Sequence, residues 1–332
     1  MTRHLPTHVP APDHSPGGGR VLAPVLPADM VEKVSALHQA SKSANTRRAY
    51  LSDWQSWQAW CDLNSCTALP AHPDTVSAYL ADKAGTVSVA TLRRHLATVS
   101  KAHQVAGLPN PCRETKVKDT VSGLRRTYGT AQHEAPGLLG DSLGVVLDSL
   151  GDIVADCRDR ALLLVGWSAG LRRSEIAGLT WGDIVADPDG LVITLRRSKT
   201  DQEGAGRLVG IARNENPNRC PVTALENWRT VCDSANTAPV FPIVTRWSKI
   251  DIRSMSGHAV ALVIQRRTQQ AGLPVQYQGH SLRKGLVQTA YLAGVADSAV
   301  MATTGHQSVT MLRRYQGQAG LVSRSASKGL LQ

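Results

Sequence analysis

Aromatic residues are scarce in this chain: of 332 residues, seven are Trp, six are Tyr and one, Phe241, is Phe. A run of ~18 apolar residues is missing, so no membrane-spanning helix is expected. The first stretch, MTRHLPTHVPAPDHSPGGGR, lacks the apolar segment of a secretory signal. Six scattered cysteines (Cys61, Cys66, Cys112, Cys157, Cys220, Cys232) read as reduced thiols of a cytoplasmic protein, not as a disulfide framework. Cys61 and Cys66 have no matching His/Cys pair nearby, which argues against zinc. A GxxxxGKS/T segment is absent, which excludes a P-loop nucleotide site. An acidic cluster of the kind two-metal hydrolysis requires is absent too.

What is present is positive charge. Lys and Arg number 37 against 26 Asp and Glu, a formal net charge of +11, which points to a polyanionic partner, nucleic acid ahead of membrane. Hydrophobic residues make up 42% and charged residues 19%, so the bulk is globular. The length predicts two domains.

Residues 1–30 hold six prolines and a Gly17-Gly18-Gly19 triplet and read as a flexible leader. Residues 31–127 read as a small helical bundle. Asn45 or Thr46 caps a first helix whose Tyr50, Trp54, Trp57 and Cys61 share one face. Asp74 caps a second helix, with Val76, Tyr79 and Leu80 inward. A third, about 88–106, buries Leu92, Leu96, Val99 and His103, and a fourth, about 114–127, buries Val117, Val121 and Leu124. The arginine pairs Arg47-Arg48, Arg93-Arg94 and Arg125-Arg126 are either solvated surface or phosphate contacts. Residues 128–138, YGTAQHEAPGL, have the composition of an interdomain linker. Beyond it, Asp141 caps a helix carrying Leu143, Val146, Leu147 and Leu150. The apolar run ALLLVGWSAGL makes a second helix, and LVITLRRSKTDQEGAGRLVGI reads as a β-hairpin. Helices follow at about 221–233, 256–271, 281–293, 297–304 and 308–315. The fold class is mainly α with one small antiparallel sheet.

Four separated clusters carry groups capable of chemistry. Gly170-Leu171-Arg172-Arg173-Ser174-Glu175 places an arginine at the end of a buried helix. Either Glu175 satisfies it, or it points into a site for an oxyanion. Ser198-Lys199-Thr200 lies on the hairpin. Gly279-His280-Ser281-Leu282-Arg283-Lys284 sets His280 and Arg283 three apart, on one face if helical. Gly305-His306 is followed nine residues later by Tyr315. Singly, each has a structural reading as core or solvated surface. Together, two arginines, two histidines, a lysine and a tyrosine are the groups that phosphodiester transfer without a metal needs.

That order resembles the tyrosine recombinase (phage integrase) family, matched at Arg172-x-Ser-Glu175, Lys199, His280-x-x-Arg283, Gly305-His306 and Tyr315. In the bundle, Ser56–Asn64, Arg94-His95-Leu96, Gly107-Leu108-Pro109 and Gly123-Leu124-Arg125-Arg126 resemble the core-binding (SAM-like) domain of the Cre-type members. Lys284 stands where many members have His. The resemblance implies an N-terminal core-binding domain (31–127), a linker (128–138), a catalytic domain (139–319) and a tail (320–332) that contacts a neighbouring protomer. The two lobes would close as a C-shaped clamp on duplex DNA. It implies a site-specific recombinase that cleaves and rejoins DNA through a 3′-phosphotyrosyl intermediate and a Holliday junction, with no cofactor, metal or ATP. Its partners would be an inverted-repeat DNA site and three further copies in a tetramer on two sites, with no membrane; any accessory protein or partner recombinase is unspecified.

Under this resemblance Tyr315 is the nucleophile, and Arg172 and Arg283 clamp the non-bridging oxygens. His306 adds a neutral donor, His280 moves the tyrosine proton, and Lys199 protonates the leaving 5′-oxygen. Glu175 orients Arg172 or His280, and Lys284 contacts phosphate. Arg47, Arg48, Arg93, Arg94, Arg125 and Arg126 are the candidate DNA contacts of the bundle. The rival readings are a non-catalytic DNA-binding protein of the same fold and a type IB topoisomerase or telomere resolvase.

Overall fold

The structure is a computed structural model and describes residues 30, 44–129, 135–196, 206–232 and 235–316. The chain divides into two compact units, Met1–His133 and Glu134–Gln332.

In the first unit the helices are Ala44–Leu63, Pro73–Asp82, Val89–Val105 and Thr115–Tyr128, with a short 3-10 turn at Pro111–Arg113. Trp54, Trp57 and Cys61 are buried as their spacing requires, while Tyr50 at the top of the stripe is only half-buried. Trp60, one step off that stripe, is also buried and donates from Nε1 to Asp82 at 2.9 Å. Tyr79 meets Trp57 and Trp60 edge-on, at centroid distances of 5.1 and 5.3 Å. The second helix is capped by His72, whose Nδ1 accepts from the Asp74 backbone N–H. Asp74 sits two residues further in, within the first turn, and pairs with Lys116 at 2.6 Å instead of capping. Ser88 caps the third helix through the Thr91 N–H. His103 is fully buried between the Ala71 N–H, which donates to its Nε2, and the Val99 carbonyl on its Nδ1 side. Its tautomer is therefore fixed with the proton on Nδ1.

In the second unit the central helix is Val154–Ser168, in which Ala161 to Val165 are all buried. It packs on Pro221–Cys232. The helix before it, Gly140–Asp148, has Leu139 at its N-cap; Asp141 falls in the first turn and favours the positive helix end without capping it. The hairpin is part of a three-stranded antiparallel sheet, β1 (Ile184–Asp187), β2 (Gly190–Leu195) and β3 (Arg207–Ala212). A second ribbon pairs β4 (Pro242–Val244) with β5 (Ile250–Ser254), so the expected single sheet is in fact two. Both additions are short, and β1 and β5 are largely exposed, so neither shows a period-2 pattern in the sequence. The remaining helices are Gly257–Gln270, Ser281–Leu292, Asp297–Thr304 and Val309–Gln316.

Two devices fix the floor of the second unit. A buried ion network joins Val154–Ser168 to Gly257–Gln270. Asp159 accepts from Arg158, Arg266 and Arg267, and Arg267 also reaches Asp156 at 2.6 Å. The second device is a backbone approach. Leu138, at the end of the segment expected to be linker, is fully buried and donates its N–H to the Ser281 carbonyl at 2.8 Å. A Cβ on Gly285 would stand 1.8 Å from the Leu138 carbonyl oxygen, so only glycine fits there.

Candidate active site

The site is assembled from chain ends that the fold brings together. The central helix stops at Ala169, and Gly170, at φ +58°, turns the chain so that Arg172 becomes the N-cap residue of Arg173–Gly178. Glu175 reaches back twice. Its Oε2 accepts from the Arg172 backbone N–H at 2.8 Å and its Oε1 from the Arg172 guanidinium at 2.6 Å. Of the two partners the sequence left open for Glu175, the geometry gives Arg172.

Arg283, on Ser281–Leu292, is fully buried. Its NH1 donates to the carbonyls of Gly170 (2.8 Å) and Thr304 (2.6 Å), and its NH2 lies 3.2 Å from His306 Nε2. Its Nε has no hydrogen-bond partner. Burial first, then Arg172, pushes its pKa down to about 10, so it remains a cation at neutral pH.

His306 follows Gly305, which closes Asp297–Thr304 in the left-handed conformation at φ +69°. Because Arg283 can only donate, His306 Nε2 accepts and the ring proton sits on Nδ1. That proton points to Thr304 Oγ1 at 2.7 Å, and the Thr304 hydroxyl in turn donates to the Val300 carbonyl at 2.6 Å. The resemblance implies a neutral donor here; the ring proton is directed at Thr304, so in this arrangement it does not donate to a ligand. Burial, followed by Arg283, Arg172 and Arg207, lowers its pKa to about 4.

Tyr315 stands half-buried on Val309–Gln316, seated by Leu312 against Val287 and Val300. Its ring meets the His306 ring at 4.7 Å and 61°, and the Arg283 guanidinium carbon lies 5.7 Å from its centroid. His280 is exposed at the N-cap of the helix in which Arg283 is buried. Lys284 is half-buried. Lys199 and the tail 320–332 lie outside the described residues.

One member of the cluster was not anticipated. Arg207, the first residue of β3, donates from NH1 to the Thr303 carbonyl at 2.7 Å. The only signal was a cation opening a strand after a glycine-rich turn. Among the described residues, the charges that act on this cluster are the guanidinium groups of Arg172, Arg207 and Arg283 set against the carboxylate of Glu175. Such an excess of buried positive charge favours an oxyanion.

In the bundle, Arg47, Arg93, Arg125 and Arg126 are exposed, and Arg48, also exposed, holds Asn45 at 2.7 Å. Arg94 is engaged by buried Asp53 through two bonds of 2.7 and 2.8 Å, so its fork serves the bundle.

The model of the phage integrase family matches residues 146–319. The chain belongs to this family, the tyrosine recombinases. It is 30% identical over 293 residues to an integrase/recombinase XerD homolog of Selenomonas ruminantium, covering 87% of this chain and 86% of that one. It is 27% identical over 297 residues to the recombinase Cre of Escherichia phage P1, covering 82% and 84%. A lambda integrase tetramer bound to a Holliday junction shares the fold, with a TM-score of 0.59 at 16% identity over 88% of this chain and 76% of that one.

The neutral state of His306 in this tyrosine recombinase has a measurable consequence. Its folded pKa, about 4, lies below the ordinary value near 6.5. The unfolded chain therefore takes up a proton at this position before the native chain does. Stability from this group is complete above about pH 6.5 and is lost as pH falls through about 4. Titration of the His306 ring by NMR should show the neutral Nδ1–H form throughout pH 5–8; a midpoint near 6.5 would contradict the assignment.

Proposed function

We propose that this chain is a site-specific DNA recombinase that breaks and rejoins a phosphodiester through Tyr315. The observation that carries the reading is the contact of Tyr315 with His306 and Arg283, beside Arg172, Arg207 and Glu175. Tyr315 Oη attacks phosphorus, and the bond to the 5′-oxygen breaks. The enzyme is left joined to the 3′-phosphate, and a 5′-hydroxyl is free. The phenol loses a proton as it attacks, and exposed His280 is the group proposed to receive it. Lys199 supplies the proton that the 5′-oxygen gains. The charge that builds on the non-bridging oxygens is met by Arg172, held by Glu175, and by Arg283. His306 acts on this reading by fixing Arg283 and backing the Tyr315 ring. The bond energy is kept in the phosphotyrosyl ester, so the reverse attack by a 5′-hydroxyl rejoins the strand without ATP.

The proposed domains are core-binding 31–127, linker 128–138, catalytic 139–319 and tail 320–332. The proposed substrate is duplex DNA with two inverted arms, worked on by four copies at two sites. The lambda integrase tetramer on a Holliday junction supports this at the level of fold. Arg47, Arg48, Arg93, Arg125 and Arg126 are the phosphate contacts proposed for the bundle, and Lys284 the one near the site.

A nicked duplex that loses its 5′-end on cleavage traps the covalent complex. The wild-type chain should become linked to DNA at Tyr315, and Tyr315→Phe should bind the same duplex with unchanged affinity and form no link. A link that survives in Tyr315→Phe would assign the nucleophile elsewhere. Failure of the wild type on every inverted-repeat duplex from its own locus would favour a non-catalytic binder, and relaxation of arbitrary supercoiled DNA would favour a topoisomerase.

A further inference from the structure

The last turn of Asp297–Thr304 ends on carbonyls without partners inside the helix. Two arginines take them: Arg283 NH1 binds the Thr304 carbonyl, and Arg207 NH1 binds the Thr303 carbonyl. Both cations sit at the negative end of the helix dipole. The two side chains come from different elements, Arg283 from Ser281–Leu292, 23 residues before His306, and Arg207 from the start of β3, 96 residues from Thr303. Arg207 also lies flat on the turn itself. A Cβ on Gly305 would stand 2.9 Å from Arg207 Nε and 3.2 Å from its Cζ. Its NH2 is buried with no hydrogen-bond partner. Burial is the largest influence on the guanidinium and disfavours its charge, and the Glu175 carboxylate offsets part of that. A buried arginine with one donor unused is costly for the sake of a single carbonyl. Apolar packing against β3 would hold the helix end without it.

We infer that Arg207 is a positioning residue for DNA cleavage: it pins the turn Thr303–Gly305 to β3 and so holds His306 against Arg283 and Tyr315. The inference rests on the recombinase reading above for its catalytic consequence, and on the geometry alone for the placement of His306. Lysine at this position offers one point donor, which can reach the Thr303 carbonyl but cannot lie as a plane against Gly305.

The test uses the full-length chain with Arg207→Met and Arg207→Lys. Two quantities are followed: the titration of His306 by NMR in the free protein, and the rate of covalent joining to the nicked duplex. His306 is faced by Arg283 and Thr304, by Tyr315 from the last helix, and at longer range by Arg172 and Arg207. In Arg207→Met its midpoint should rise from about 4 toward its ordinary value, in part because a nearby cation is lost; Arg207→Lys keeps the cation, so a rise that persists there reports displacement of the ring. The joining rate should fall about 100-fold, as for a misplaced catalytic group, with DNA affinity within about twofold. Arg207→Lys should recover part of both effects. A Met variant that joins DNA at the wild-type rate overturns the inference. So does a slow variant whose His306 titration is unmoved, because the loss then comes from general destabilisation. If Arg207→Met does not fold, the Lys variant against wild type carries the same two comparisons. If the wild type forms no covalent complex, the recombinase reading fails and the His306 titration alone decides the placement.

Discussion

Arg283→Ala should reduce covalent joining to DNA by about a thousandfold or more, the largest loss expected of any change in the site apart from the nucleophile. The reason is the number of tasks one side chain performs. Arg283 is fully buried and holds the Gly170 and Thr304 carbonyls, and so fixes the two turns that deliver Arg172 and His306. Its NH2 fixes the His306 tautomer, its face lies over Tyr315, and its Nε is unused. Removing it leaves two buried carbonyls without a donor, at about 1–3 kcal/mol each, and removes one of the charges that favour the phosphate. Arg283→Lys separates these losses. Charge is kept, but a single ammonium cannot span two carbonyls and His306, so the lysine variant should stay folded near the wild-type melting temperature more often than it cleaves. Measurement of joining rate and thermal unfolding on both variants checks this. An alanine variant within tenfold of wild type would mean that Arg172 alone carries the phosphate.

Much of this arrangement was legible before any coordinates, and the reason is local. The helix stripes follow a 3.6-residue period, so Trp54, Trp57 and Cys61, or Leu143, Val146 and Leu147, announce their faces. The Arg, His-x-x-Arg, Gly-His and Tyr clusters are likewise short and ordered along the chain. What could not be read depends on contacts that are distant in sequence. Asp74 and Asp141 look like caps from composition, yet the chain enters each helix two residues earlier, at His72 and Leu139. β1 and β4–β5 pair with near neighbours in the chain, but the strands are too short, and β1 and β5 too exposed, to show an alternating pattern. Arg172 could have faced an anion or a carboxylate, and only the fold shows Glu175 on it. Arg207 had no motif at all; its importance lies in a carbonyl 96 residues away. His280 and Arg283 sit on one helical start, yet His280 is exposed and Arg283 fully buried, a difference that spacing alone does not give. The +11 charge, weak as an argument alone, becomes specific where, among the described residues, Arg172, Arg207 and Arg283 collect beside Tyr315 and His306 with Glu175 the carboxylate that acts on them.

Asp159→Ala should be among the most destabilising single substitutions in the second unit, although it lies outside the reaction. Asp159 is fully buried, and its two oxygens accept from Arg158, Arg266 and Arg267 at 2.6–2.9 Å. Arg158 and Arg267 are themselves buried, and Arg266 is half-exposed at the rim. Deleting the carboxylate strands two buried cations, one of which retains Asp156 and one of which keeps only the Pro242 carbonyl at 3.5 Å. Breaking a buried network from one side costs about 3–5 kcal/mol, which in a domain of this size lowers the melting temperature by about 10 °C or more. The cost comes from uncompensated charge and not from the worth of the bridges. Asp159→Ala combined with Arg158→Met and Arg267→Met should therefore recover most of the loss, as apolar packing replaces the ions. Circular dichroism melts of the single and triple variants decide the matter: a single variant within about 1 kcal/mol of wild type would show that water reaches the network and satisfies the arginines. Since Asp156 and Asp159 lie near the start of Val154–Ser168, whose far end leads through Gly170 to Arg172, loosening this helix should also slow DNA joining by shifting Arg172.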